Sequence, residues 1–294
     1  MSKKTVSYSQ YTLYAQCPRR WKLDYKDGLR KYEQNINTCF GSAFHKTMQN
    51  YLEVLYNNSV KEANSIHLGD YLKQALFDEY KQSLAKNGNK HYSTPKQLAE
   101  FYEDGVAILN YFQKHRTAYF STKGHKLVGI EVPLSIPLMH NVSFNGFIDI
   151  VIHDEINNRI LIYDIKTSTM GWNKYQKADK TKTAQLILYK EFYAKQFGVD
   201  VESIDVEYII VRRKISEHSE FNIKRIQLFA PASGKPTRTK IGKSFTDFIQ
   251  SCFTEEGEYS DANEHLAIAT SSCKYCPYDK NEELCPKKQR TKSV

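Results

Sequence analysis

Three side chains stand where their types and spacing can do chemistry: Asp149, Asp164 and Lys166, within the stretch 142–169, VSFNGFIDIVIHDEINNRILIYDIKTST. The stretch reads as two apolar strands joined by a polar turn. In the first strand Val142, Phe144, Ile148, Ile150 and Ile152 fall on one face at period two, and Asp149 points the other way beside Phe147 and Val151. Asn157 and Asn158 supply the turn chemistry. The second strand runs from Arg159 to about Thr167, with Ile160, Ile162, Asp164 and Lys166 on one face and Leu161, Tyr163 and Ile165 on the other. Two carboxylates and a backbone carbonyl suit a hard cation such as Mg²⁺ or Mn²⁺. A lysine two residues after the second carboxylate can hold or polarise a water aimed at phosphorus. An Asp-x-Lys alone is usually two side chains in solvent. Here the flanking residues are almost all β-branched or aromatic, and a buried strand that turns polar requires a reason.

The spacing resembles that of the PD-(D/E)xK nucleases, and LIYDIKTS is similar to their RecB-type branch. The resemblance implies that Asp149 and Asp164 bind metal, with the Ile165 carbonyl, and that Lys166 serves the water. The proline that often precedes the first Asp is absent, since Ile148 stands there. Two more motifs enter through the same resemblance. Gly41-Ser42-Ala43-Phe44-His45 opens a helix to about Asn57, and His45 falls on its inward stripe with Met48, Leu52 and Leu55. A histidine there is ordinarily a packed core residue, whereas the resemblance makes it a metal ligand, one better suited to Mn²⁺ than to Mg²⁺. Downstream, Gln185 and Tyr189 are four apart on a helix from Thr183 to about Phe197 and share a face. The family's Q-x-x-x-Y signature implies that they line the cleft. Glu131, on an alternating strand at 127–137, is a further candidate ligand by the same comparison.

The elements that position these residues follow from pattern. The expected fold is α/β, a restriction-endonuclease-like core with a mixed central sheet, flanking helices and a helical insertion at 58–125. That insertion holds helices at about 67–87 and 96–118, and the whole chain, 1–294, reads as one nuclease domain. Residues 8–27 look helical, interrupted at Cys17-Pro18, where proline breaks or restarts a helix. A polar, basic loop spans 171–182, a strand 204–211 ends in Arg212-Arg213-Lys214, and another strand lies at 220–229. Helices are expected at about 236–255 and 260–269, then a disordered basic tail.

Of six cysteines, Cys252 falls on an apolar helix face and Cys39 has no partner spacing. Cys273, Cys276 and Cys285 make three potential ligands, and Cys17 is the remaining cysteine that can complete four. One cysteine before the nuclease core and three after it resembles the iron–sulfur RecB-type group, which includes AddB-type subunits and CRISPR adaptation nucleases. That resemblance implies a [4Fe–4S] cluster joining 8–27 to 270–286. The eight residues between Cys276 and Cys285 make a longer spacing than this group's, and tetrahedral Zn²⁺ would satisfy four thiolates equally well.

Lys plus Arg is 42 and Asp plus Glu 33, a formal charge of +9, which favours a polyanionic partner. Lys174, Lys182, Arg212 and Arg213 are the candidate DNA contacts, and 21 tyrosines offer stacking surface. No apolar run is long enough to span a bilayer, and the amino terminus has no apolar signal core, so the expectation is an intracellular protein, cytoplasmic or in a host cytoplasm if viral. Nothing resembles a base-reading module. The expected activity is therefore Mg²⁺- or Mn²⁺-dependent DNA hydrolysis, an exonuclease acting on a free end or single-stranded segment in recombination, repair or replication, with a helicase or recombinase as partner. The alternatives are a catalytically silent DNA-binding protein of this fold, a structure-specific endonuclease, or a zinc protein that bridges partners.

Overall fold

The computed structural model describes residues 3–30, 34–215 and 223–292. A six-stranded mixed sheet forms its centre: β1 (Lys4–Val6), β2 (His125–Met139), β3 (Val142–Asp154), β4 (Arg159–Ser168), β5 (Ile204–Arg212) and β6 (Ile226–Phe229). The order is β1-β3-β4-β5-β6, with β2 paired to β3. β2 and β3 form a long antiparallel hairpin around Asn141, whose φ of +56° closes the turn. Between β3 and β4 the Asp154 carboxylate accepts from the amides of Ile156 and Asn157, each at 3.1 Å, and Asn158 takes a left-handed φ of +50°. β4 and β5 then run parallel from Ile160–Ile204 to Ser168–Arg212.

That parallel pair requires a crossover, and α8 (Lys180–Phe197) provides it. Asp179 caps its start by accepting from the Thr181 amide at 2.9 Å, and Gly198 ends it with φ +65°, a left-handed cap that costs glycine nothing. α8 packs with α1 (Tyr8–Gln16) and α9 (Lys235–Cys252) on one face of the sheet. Phe144, Ile162, Ile187, Tyr208, Phe245 and Phe248 fill that layer. α3 (Ile36–Asn57), α5 (Leu68–Lys86) and α6 (Pro95–Lys114) cover the other face around Phe40, Phe44, Leu52 and Phe112. Asn35 caps α3 through the Thr38 amide at 3.0 Å, and a Thr94–Gln97 capping box with Pro95 starts α6. The short helix α4 (Val60–Ser65) links α3 to α5.

Several boundaries differ from expectation. α3 starts at Ile36, so Gly41 lies inside it rather than opening it. A Cβ at Gly41 would stand 3.3 Å from Thr167 Oγ1, so glycine lets α3 approach β4 one turn before His45. The basic loop holds a short helix, α7 (Lys174–Ala178), because Asn173 caps it with Gln176. No helix forms at 260–269; instead β7 (Ile268–Ala269) pairs with β8 (Thr291–Lys292), and the described part of the tail is ordered by Arg290 on Asp279 at 2.6 Å. The strand at 220–229 is resolved as 226–229, its first residues lying partly outside the described ones. No helix among the described residues is long and apolar enough to cross a membrane.

One departure shapes the centre of the molecule. The apolar residues of β3 do not share a face: Phe144 and Ile148 pack against the α8–α9 layer, whereas Ile150 and Ile152 pack against α3 and α6. β2 does the same, with Leu134 and Ile136 in the first layer and Ile130 in the second. The ribbon thus exchanges faces at Glu131 and Asp149, which stand opposite each other between the Ile130–Ile150 and Val132–Ile148 pairs. Glu131 carries the distortion, with φ +48°. A non-glycine residue in that region costs on the order of 1–3 kcal/mol and persists only where its surroundings fix it.

Candidate active site

β2 occupies one edge of β3 along its whole length, so β1 and β4 share the other edge. β1 takes residues 142–144 and β4 takes 150–154, leaving a fork between them. Asp149 sits at the point where β4 departs. Its Oδ2 accepts from the Ile165 amide at 2.7 Å, taking the place of a strand partner that β3 no longer offers. Asp164, one residue before, is 1% exposed, and Asp149 is 8% exposed. Lys166 lies two residues further on the same strand, its Nζ 2.8 Å from Asp164 Oδ2. That contact is an ion pair off the line of a hydrogen bond, so Oδ2 remains a buried oxygen without a hydrogen-bond donor.

α3 closes the site from above. His45 Nδ1 stands 3.5 Å from Asp149 Oδ2, and ligand atoms of His45, Glu131 and Asp149 all lie within 4.8 Å of one another. Burial lowers the His45 pKa, with the Asp164 charge and the Ile165 backbone opposing it, so the ring is held in the neutral form that a metal requires. Burial also raises the Asp149 pKa well above the usual carboxylate range, and the neighbouring Asp164 charge adds to that. Two buried carboxylates, one with an orphaned oxygen, beside a neutral imidazole and a third carboxylate fit a divalent cation, which would neutralise their repulsion.

The helix after the hairpin supplies the wall. Gln185 and Tyr189 are buried on one face of α8, and Gln185 Nε2 donates to the Tyr189 hydroxyl at 3.2 Å while its Oε1 finds no donor. Burial raises the Tyr189 phenol pKa, and Asp164, Asp149 and Glu131 raise it further, so this ring faces the carboxylates. Gly146 makes room for it, since a Cβ there would meet Tyr189 Cε1 at 3.2 Å. Gln185→Ala and Tyr189→Phe are expected to slow cleavage about ten- to a hundredfold by loosening this wall. The stability cost should be about 1 kcal/mol for the phenol, whose hydroxyl has one neutral partner. Variants that melt earlier yet cleave normally per folded molecule would make the pair mere packing.

Three contributors escaped the sequence reading. Gln49, one turn after His45, donates to Glu131 Oε1 and so ties α3 to the strained residue. Its signal was the i, i+4 spacing from His45, read at Gln185 and Tyr189 but not here. Tyr8 donates to the Thr181 and Lys182 carbonyls, and the Tyr208 hydroxyl reaches the Lys182 carbonyl at 2.7 Å. Both phenols have pKa values raised first by burial and then by Asp164. They fasten the basic start of α8 beside the carboxylates.

The candidate DNA contacts divide. Lys174 lies over the Tyr175 ring and Lys182 over the Trp172 ring, neither with a carboxylate partner among the described residues. Arg212 donates to the Lys224 carbonyl at 3.1 Å. Arg213 is committed elsewhere: it contacts Asp104 at 2.6 Å and Glu100 at 3.1 Å, with its guanidinium 3.9 Å from the Phe101 ring centre. It joins β5 to α6, a role that sequence cannot show because the acids lie more than a hundred residues away. Arg213→Ala is expected to lower the melting temperature by about 3 °C or more and leave cleavage by the folded fraction unchanged. An unshifted melt would return Arg213 to the candidate DNA contacts.

The cysteines also separate. Cys39 and Cys252 are wholly buried in the two cores. Cys17, Cys273, Cys276 and Cys285 line one cavity together with Arg19, Arg20 and Arg290. Cys17 sits in extended backbone between α1 and a second short helix begun by Pro18, and its thiol caps neither. The Tyr278 hydroxyl donates to Asp24 at 2.7 Å and to the Leu29 carbonyl at 3.0 Å, so the two ends of the chain are joined by protein contacts as well.

The family model described as the PD-(D/E)XK nuclease superfamily matches residues 5–285. A crystal structure of a "Putative exonuclease" from Eubacterium rectale is similar with a TM-score of 0.45 and 13% identity, over 84% of this chain and 78% of that one. No curated protein matches the sequence. With the family model extending over residues 5–285, all but the outermost of the chain, this chain belongs to the PD-(D/E)XK nuclease superfamily.

Proposed function

We propose that the chain is a DNA exonuclease of the RecB-type branch, hydrolysing phosphodiester bonds at the β3–β4 fork. The observation that carries this is the buried Asp149–Asp164 pair with Lys166 at 2.8 Å from an otherwise unsatisfied oxygen. His45, Glu131, Asp149, Asp164 and the Ile165 carbonyl would hold one or two Mg²⁺ or Mn²⁺ ions. Such an ion supplies Lewis acidity toward the phosphoryl oxygens and stabilises the charge that develops on them. Lys166, one-third exposed, reaches from the buried carboxylate toward solvent and so can orient the attacking water. Gln185 and Tyr189 exclude bulk water on the α8 side, and Lys174, Lys177 and Lys182 offer ammonium groups to the backbone of the strand. A silent DNA clamp would be expected to lack an acid or the lysine, and all are present.

The four cysteines are proposed to hold a structural [4Fe–4S] cluster, with zinc as the alternative. Cys276 and Cys285 have thiol pKa values raised first by burial, so a bound metal is what would keep them as thiolates. Among the described residues, no three of the four sulfurs lie within 4.8 Å of one another. Tetrahedral zinc, with Zn–S of about 2.3 Å, would draw them to roughly 3.8 Å. The order of one cysteine before the nuclease core and three after it is what favours the cluster. On this reading 1–294 is one nuclease domain, 58–125 a helical insertion that caps the site, and a helicase or recombinase presents the DNA end.

The test is metal binding read by melting. Millimolar Mn²⁺ or Mg²⁺ should raise the melting temperature of the wild type, because the ion binds only the folded state. Asp149→Asn should lose that rise. An equal rise in both proteins would place the ion elsewhere and sink the assignment.

A further inference from the structure

The face exchange at Glu131 and Asp149 leaves half of the β2–β3 ribbon bare. On the side away from α8, Pro133, Ser135, Asn145 and Phe147 are all exposed. Phe147 is 57% exposed, a large aromatic left open in a strand whose other apolar residues from Val142 to Ile152 are buried. It is paired with Pro133, and that pair lies two residues from the Glu131–Asp149 position on the same ribbon, with no register shift between them. Two residues of strand put the aromatic about 7 Å from the carboxylate position. The ring belongs to neither core layer.

We infer that Phe147, backed by Pro133, is a stacking platform for one unpaired nucleobase next to the phosphodiester held at Glu131 and Asp149. This rests on the nuclease reading above and names its substrate class as single-stranded nucleic acid. A paired base has both of its faces covered by its neighbours in the stack, so only an unpaired or splayed base can use the ring. Base–aromatic stacking is tolerant of sequence, since every base has a π-face. Lys182, at the start of α8, is tied through its carbonyl to Tyr208, which pairs with Asp164 across β4 and β5, so a strand crossing the site would meet positive charge on one side and an aromatic ring on the other.

The experiment uses the full chain and three proteins: wild type, Phe147→Ala and Phe147→Trp. Binding of a fluorescent single-stranded oligonucleotide is measured by anisotropy with Ca²⁺ in place of the cleaving metal. Cleavage is measured with Mn²⁺ on the same oligonucleotide, on a blunt duplex, and on bis(p-nitrophenyl) phosphate, a diester without a base. Phe147→Ala should bind the oligonucleotide about tenfold or more weakly and show a raised KM on it, with kcat/KM on the small diester unchanged. Phe147→Trp should retain binding, and its indole fluorescence should be quenched as the oligonucleotide is added. An abasic site at the stacked position should erase the difference between wild type and Phe147→Ala. Equal affinity of the three proteins, or an equal loss on the small diester, overturns the platform. Absence of cleavage by the wild type would instead overturn the hydrolytic reading, while anisotropy and quenching would still decide whether the ring stacks.

Discussion

Asp164→Asn is expected to abolish cleavage while leaving the metal-free protein at least as stable as the wild type. The two effects have opposite signs because the residue serves the site at the expense of the fold. Asp164 is almost fully buried, beside a second buried carboxylate, and one of its oxygens lacks a hydrogen-bond donor. The charge is compensated by Lys166, which is itself one-third exposed. Neutralising such a group removes desolvation cost and repulsion with Asp149, so the metal-free variant should melt no earlier. Without the carboxylate the ion loses a ligand, and turnover should fall by 10³ or more, at or beyond the upper end for one charge-stabilising group. Lys166→Met should keep the melting rise with Mn²⁺ and lose about 10²–10⁴ in rate, the range for a positioned proton-handling group. Melting curves and single-turnover cleavage check both. Wild-type turnover in either variant would remove these residues from the chemistry. A destabilised, still active Asp164→Asn would make the pair a structural ion pair.

The second large effect is expected at the cysteine cavity. Cys17 and the trio Cys273, Cys276 and Cys285 lie about 256 residues apart in sequence and line one cavity. A shared cluster closes nearly the whole chain into one loop, and treated as a cross-link it is worth on the order of 4–5 kcal/mol through the unfolded state, with metal affinity added. Most single domains are stable by only about 5–15 kcal/mol. Replacing any one of the four by Ser should therefore reduce soluble yield sharply and strip the metal, whereas Cys39→Ser and Cys252→Ser should keep it. Those two are packed thiols in the cores and lower stability by packing alone. Protein isolated without oxygen should be brown with about four irons per chain. Colourless protein with one zinc would replace the cluster and keep the closure. Full metal content in Cys17→Ser would end the idea that the two termini share a site.

How much of this was legible in sequence follows from the range of each signal. Asp164 and Lys166 were legible because period two on a single strand fixes their face, and Gln185 with Tyr189 because one helical turn fixes theirs. The α/β class followed from alternating strand and helix patterns. The ribbon's exchange of faces was not legible: the apolar pattern of β3 is continuous through Asp149, and only layers on both sides of the sheet decide which residue faces which core. Glu131 could be proposed only by comparison, since nothing local signals its left-handed backbone. Arg213 read as a free basic residue because its acids are distant in sequence. The tail read as disordered from its charge, whereas its described part is held by Arg290 on Asp279 and the Cys285 carbonyl and by the pairing of β8 with β7.

Cutting of nucleic acid at the β3–β4 fork is expected to depend on a divalent ion. The most direct measurement is digestion of 5′- and 3′-end-labelled single- and double-stranded DNA by the full chain, with Mg²⁺, Mn²⁺ or EDTA, beside Asp164→Asn. The expected result is metal-dependent release of short products progressing from an end, faster on single strands, absent with EDTA and absent in the variant. Intact substrate under every condition, or equal digestion by wild type and Asp164→Asn, would contradict it.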